Sequence, residues 1–96
     1  MQILLLQGQP KQWLHLGRKA VESSNFKKAV MLLNMCIHLS DPGQDLSILT
    51  AAYQALAEAF FKLEEHEKSL NAGKECFKLR PHKSEVFKIV VEISSL

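Results

Sequence analysis

The scarcities of this chain narrow its possible roles before any pattern is read. Its 96 residues hold two cysteines, Cys36 and Cys76, and neither belongs to a Cys-x-x-Cys pair. Two distant thiols make no disulfide framework, and they suit a reducing compartment where thiols stay free. No stretch approaches the roughly 18–20 apolar residues that span a bilayer. The opening Met1-Gln2-Ile3-Leu4-Leu5-Leu6 has no basic stretch before an apolar run of four residues, so it does not read as a secretory signal. No Asn-x-Ser/Thr acceptor occurs. Together these absences predict an intracellular protein, cytoplasmic or nuclear, with no membrane role. Three prolines and four glycines beside seven aromatics and 47% apolar residues argue against disorder.

Charge and catalytic chemistry are equally sparse. A net charge of +2 is too weak to predict a nucleic-acid partner. The four histidines, His15, His38, His66 and His82, form no His-Glu-x-x-His pair. Glu65-His66-Glu67 sets three ionisable groups in a row, but consecutive helical residues point in different directions and do not converge on a metal. No catalytic residue, metal ligand, cofactor or small-molecule substrate is predicted, and the chain reads as a binding protein and not an enzyme. Lys74, Lys78, Arg80, His82, Lys83 and Lys88 gather in the C-terminal third. Glu75, Glu85 and Glu92 interleave with them, and no aromatic is clearly exposed there for base stacking. A solvated helix face explains that cluster better than RNA binding, which stands as the least favoured alternative.

What is present is helical periodicity from end to end. Trp13, Leu16, Gly17 and Ala20 mark the inner face of a first helix, which Pro10 can start because its missing N–H costs nothing there. Ser23-Ser24-Asn25 breaks it. Phe26, Ala29, Val30, Leu33, Cys36 and Ile37 follow at three- and four-residue steps. Ser40-Asp41-Pro42-Gly43 is a turn, with Asp41 placed to bond local backbone. A third helix over about 47–63 carries Ala52, Tyr53, Leu56, Ala57, Phe60 and Phe61. After the Glu64-Glu65 corner, a fourth over about 67–79 turns Leu70, Gly73, Cys76 and Phe77 inward. Arg80-Pro81-His82 ends it. A final helix from Ser84 buries Val86, Phe87, Val90 and Val91, while Ile89 and Ile93 leave it apolar around much of its circumference. No stretch alternates with period two, so the fold class is all-α.

The chain also repeats itself. Trp13 and Tyr53, Leu16 and Leu56, Gly17 and Ala57, Cys36 and Cys76, and Leu39 and Leu79 are each 40 residues apart, and Phe87 follows Tyr53 by 34. The predicted organisation is a leading segment over 1–9 and one domain over 10–96. That domain divides into helix-turn-helix units at 10–43 and 50–83 and a terminal helix at 84–96. Gly17, Ala29, Ala57 and Ser69 are small where paired helices would cross, so the backbones can approach to about 8–10 Å.

On these residues the chain resembles the tetratricopeptide repeat family. The first unit supplies Trp13, Leu16, Gly17, Ala29, Leu33 and Cys36 to the family's pattern. The second supplies Tyr53, Leu56, Ala57, Phe60, Cys76 and Pro81. Ala20 stands where tyrosine is usual, Ser69 where alanine is, and Gly73 where an aromatic is, which predicts looser packing in the second unit. The resemblance implies a short right-handed α-solenoid that acts as a scaffold or adaptor, with a partner peptide or helix in its concave groove. The two cysteines share one repeat position, where a small buried residue is required. The ligand-reading positions it implies are Lys11, Leu14, Arg18, Val21 and Glu22, then Ala51, Gln54, Glu58, Phe61 and Lys62, then Glu85, Lys88 and Glu92. Among these Arg18, Glu58 and Lys88 would set charge and register, and exposed Leu14, Val21 and Phe61 would give apolar contact. The apolar ends, Met1–Leu6 and the terminal helix, leave self-association or docking onto other repeats as the alternative.

Overall fold

A computed structural model describes residues 9–79 and Ile93. Among the described residues there are four helices and no strand: α1 (Pro10–Glu22), α2 (Phe26–Leu39), α3 (Leu46–Lys62) and α4 (His66–Leu79). The chain is all-α. Helix boundaries follow the sequence reading to within a residue or two, with Pro10 at the first turn of α1 as expected. No helix among the described residues is long and apolar enough to cross a membrane. The expected leading segment, Pro81 and the terminal helix lie outside the described residues except for Ile93, which is helical and buried.

Packing follows chain order. α1 lies against α2, α3 against α4, α2 joins the two pairs, and α1 also touches α3. The 40-residue repeat holds atom for atom at the two helix-to-helix turns. Asn25 N–H donates to the Ala20 carbonyl at 2.8 Å and Ser24 N–H to Val21 at 3.0 Å; Glu65 donates to Phe60 at 2.9 Å and Glu64 to Phe61 at 3.0 Å. This is a Schellman closure, which satisfies carbonyls that the helix end leaves open. It requires a left-handed residue just past the cap, and Ser24 (φ 61°) and Glu64 (φ 62°) take that conformation without glycine. Between the units, Asp41 Oδ1 accepts from Gly43 N–H at 3.0 Å, and Asp45 Oδ2 accepts from Asp41 N–H at 3.0 Å. The local bonding expected of Asp41 is present.

Small residues let each helix pair close. An alanine Cβ at position 17 would fall 2.6 Å from Leu33 Cδ2 and 2.7 Å from its Cγ, and Leu33 is fully buried. At the equivalent sites 40 residues on, the sizes are exchanged: Ala57 replaces Gly17 and Gly73 replaces Leu33, and both are buried. The looser packing expected from Ser69 is not seen at that residue. Ser69 is 0% exposed, and its hydroxyl donates to the Ala57 carbonyl at 2.6 Å, so its polar atom crosses the helix pair satisfied.

One expected core residue is out of place. Leu16 is 41% exposed, although its equivalent Leu56 is 5% exposed. α3 has α1, α2 and α4 around it, whereas among the described elements α1 has only α2 and α3. The apolar stripe of α1 instead runs through Leu14, Gly17 and Ala20, one side of the wheel round from Leu16. Leu70 and Phe77, expected on the inner face of α4, are half-buried, while Ser69, Ala72, Gly73 and Cys76 form its buried side.

Two stability changes follow. Glu64→Gly removes the steric cost of a left-handed glutamate and should stabilise the fold by about 0.5–1 kcal/mol, a rise in Tm of about 2–6 °C by calorimetry. Gly17→Ala gains helix propensity but forces its Cβ into Leu33, for a net loss of about 1–2 kcal/mol in urea melts. In a cycle with Leu33→Ala the two losses should be less than additive, because the residues share one contact.

Candidate functional site

Residues spaced three or four apart share a helix face, and α3 aligns Ser47, Ala51, Gln54, Glu58 and Lys62 in this way. That face looks across a groove of about 810 Å³ at Arg18, Val21 and Glu22 of α1, with Ser24 of the intervening turn and Phe26 at the start of α2 also lining it. Thr50 and Ala55 complete the lining. Thr50 is nearly buried and donates its hydroxyl to the Leu46 carbonyl at 2.8 Å, so it offers the groove little polarity.

The charges in the groove follow a simple rule. Arg18 and Glu58 occupy equivalent positions 40 residues apart, as do Glu22 and Lys62, and each pair has opposite signs. All four side chains are exposed. Among the described residues none of them forms an ion pair; the pairs present are Lys68 with Glu65, at the start of α4, and Lys78 with Glu75, within it. Four exposed charges of mixed sign therefore stand without ion-pair partners among the described residues around a groove of mixed polar and apolar lining.

The structure gathers Arg18, Gln54, Glu58 and Lys62 of the predicted set in one place, together with Val21, Glu22 and Ala51. It separates others. Leu14 is 8% exposed and belongs to the core, because α1 turns it toward α2 and α3 once Leu16 faces outward. Phe61 is half-buried with its ring edge-on to His66 at 5.6 Å, away from the groove lining. Lys11 lies at the start of α1 beside a smaller depression of about 360 Å³ that it shares with Leu14, His15, Arg18, Lys19 and Glu22. Glu85, Lys88 and Glu92 lie outside the described residues. Sequence reasoning missed Ser24, which sits in the turn, and Phe26, the first residue of α2, which it assigned to that helix's apolar face.

Other chemistry is limited. Among the described residues no three His, Cys, Asp or Glu side chains gather to hold a metal. Cys36 and Cys76 are free and buried, and the Cys76 thiol donates to the Thr50 carbonyl at 3.3 Å. Burial pushes the Cys36 thiol above its ordinary value, with the Asp45 carboxylate adding to the rise and a Ser40 hydrogen bond opposing it. Burial and the nearby Glu75 raise Tyr53 in the same direction. Compared with family models, curated proteins and solved structures, the chain matches none at a significant level.

The cysteine geometry makes a solution prediction. The thiolate is the reactive form, so iodoacetamide should modify the native cysteines about 100-fold or more slowly than the urea-unfolded ones, read by mass spectrometry. A native Cys36 value raised above the unfolded value of about 8.5 contributes stability that is complete below that pH and is lost as pH rises past it. Urea midpoints should fall from pH 7 to pH 10, and fall less in Cys36→Ala.

Proposed function

We propose that this chain is a protein-interaction module: two tetratricopeptide-like helical hairpins stacked as a short right-handed solenoid, holding a segment of a partner protein between α1 and α3. The observation that carries the reading is the meeting of Arg18, Gln54, Glu58 and Lys62. The repeat register selects them as ligand-facing positions on two separate helices, and they line one groove. Exposed charges without ion-pair partners among the described residues are available to a ligand at little cost, because no internal bond must break. Val21 and Phe26 supply the apolar contact that Leu14 and Phe61 do not. The partner segment is an extended peptide or helix of mixed charge. Glu22 and Glu58 repel a purely acidic tail, so such a tail is not the ligand. The activity is binding without catalysis, in the cytoplasm or nucleus.

A second reading rests on the uncovered end of the first unit. Leu16, Met31 and Met35 are exposed on α1 and α2, whereas Leu56, the equivalent of Leu16, is covered. An array end of this kind accepts another helical repeat.

Affinity capture from lysate with the wild-type chain, with Arg18→Glu/Glu58→Lys and with Leu16→Glu separates the two. The groove reading expects partners to be lost with the charge variant and kept with Leu16→Glu. Partners kept by the charge variant and lost with Leu16→Glu would overturn it in favour of end-on docking.

A further inference from the structure

We propose that the α1–α3 groove face is self-complementary and pairs with a second copy of this chain across a two-fold axis. The inference rests on reading this groove as a binding surface, and it names the occupant.

It comes from the sign inversion between equivalent positions. Within each helix the two charges are four residues apart, about 6 Å along the axis. α1 presents plus then minus at Arg18 and Glu22, while α3 presents minus then plus at Glu58 and Lys62. A two-fold axis running along the groove sets α1 of one copy over α3 of the other. Arg18 then faces Glu58 of the second copy, Glu22 faces Lys62 of the second copy, and symmetry supplies both contacts again. No like charges meet. Had both units carried the same sign at these positions, the same axis would have opposed like charges and repelled the copy.

Two further features favour a second copy over an unrelated segment. The four charges sum to zero, so this face does not repel itself although the chain carries +2. Val21 and Ala51, which also line the groove, are short. A different partner would have to bring its own matching pattern of four charges, which a second copy brings by symmetry.

The test is sedimentation equilibrium of the full chain across the micromolar range, at about 20 mM and about 500 mM salt. The wild type should dimerise at low salt and weaken at high salt. Arg18→Glu, which opposes two carboxylates twice per dimer, should weaken pairing by about tenfold or more. The charge-exchanged variant Arg18→Glu/Glu58→Arg should return to within about threefold of wild type, with circular dichroism verifying the fold of each. A monomer throughout, a dimer indifferent to Arg18→Glu, or an exchange that fails to recover would each overturn the proposal. A heterologous ligand behaves oppositely, because charge exchange removes it. Capture that is lost on exchange, with no dimer at any concentration, therefore leaves the groove reading standing and removes self-pairing alone.

Discussion

The crossing of α1 over α2 at Gly17 is the constraint on which the first unit is built. Leu33 occupies the space that any side chain at 17 would take, at 2.6 Å from an added Cβ. Helix pairs can close only where one partner is small, and a buried leucine demands that the other be glycine. The second unit meets the same demand with the sizes exchanged, Ala57 for Gly17 and Gly73 for Leu33. Ser69 shows the limit of the rule. A hydroxyl is admitted to the second crossing because it donates to the Ala57 carbonyl and leaves no buried polar atom unpaired.

Close pairing within units sets the geometry between them. The two Schellman turns reverse the chain by the same hydrogen bonds, and the Asp41–Asp45 turn returns it so that α3 reaches both α2 and α1. The contact of α1 with α3 brings ligand-facing positions from two sequence-distant helices to one groove. Arg18 and Glu58 share a groove because Gly17 and Ala57, their neighbours, are held at the crossings.

Helix faces, turns and the 40-residue register were legible in the sequence, as was the part of the groove that follows a helix face: Arg18, Val21, Glu22, Ala51, Gln54, Glu58 and Lys62. Each depends on local chemistry or on period. The reading failed where burial depends on neighbours. Leu16 and Leu56 share a register position, but among the described elements α3 packs against three helices and α1 against two. Leu14, read as a ligand contact, takes the core place in α1. Phe61 shows the same limit, since its ring is engaged by His66 across the turn.

The sequence by itself determined the helical class, the places where the chain turns, the burial of both cysteines at one repeat position and the inverted charge signs of the two units. These follow from side-chain size, periodicity and turn chemistry, which act over a few residues or repeat by register. Only the tertiary structure decided which side of α1 is covered, and that Ser24 of the turn and Phe26 at the start of α2 join the groove. It also decided that the four charges stand free of one another among the described residues. Those outcomes depend on which elements pack against which, and a residue's exposure is a property of its neighbours as much as of its own position on the helix.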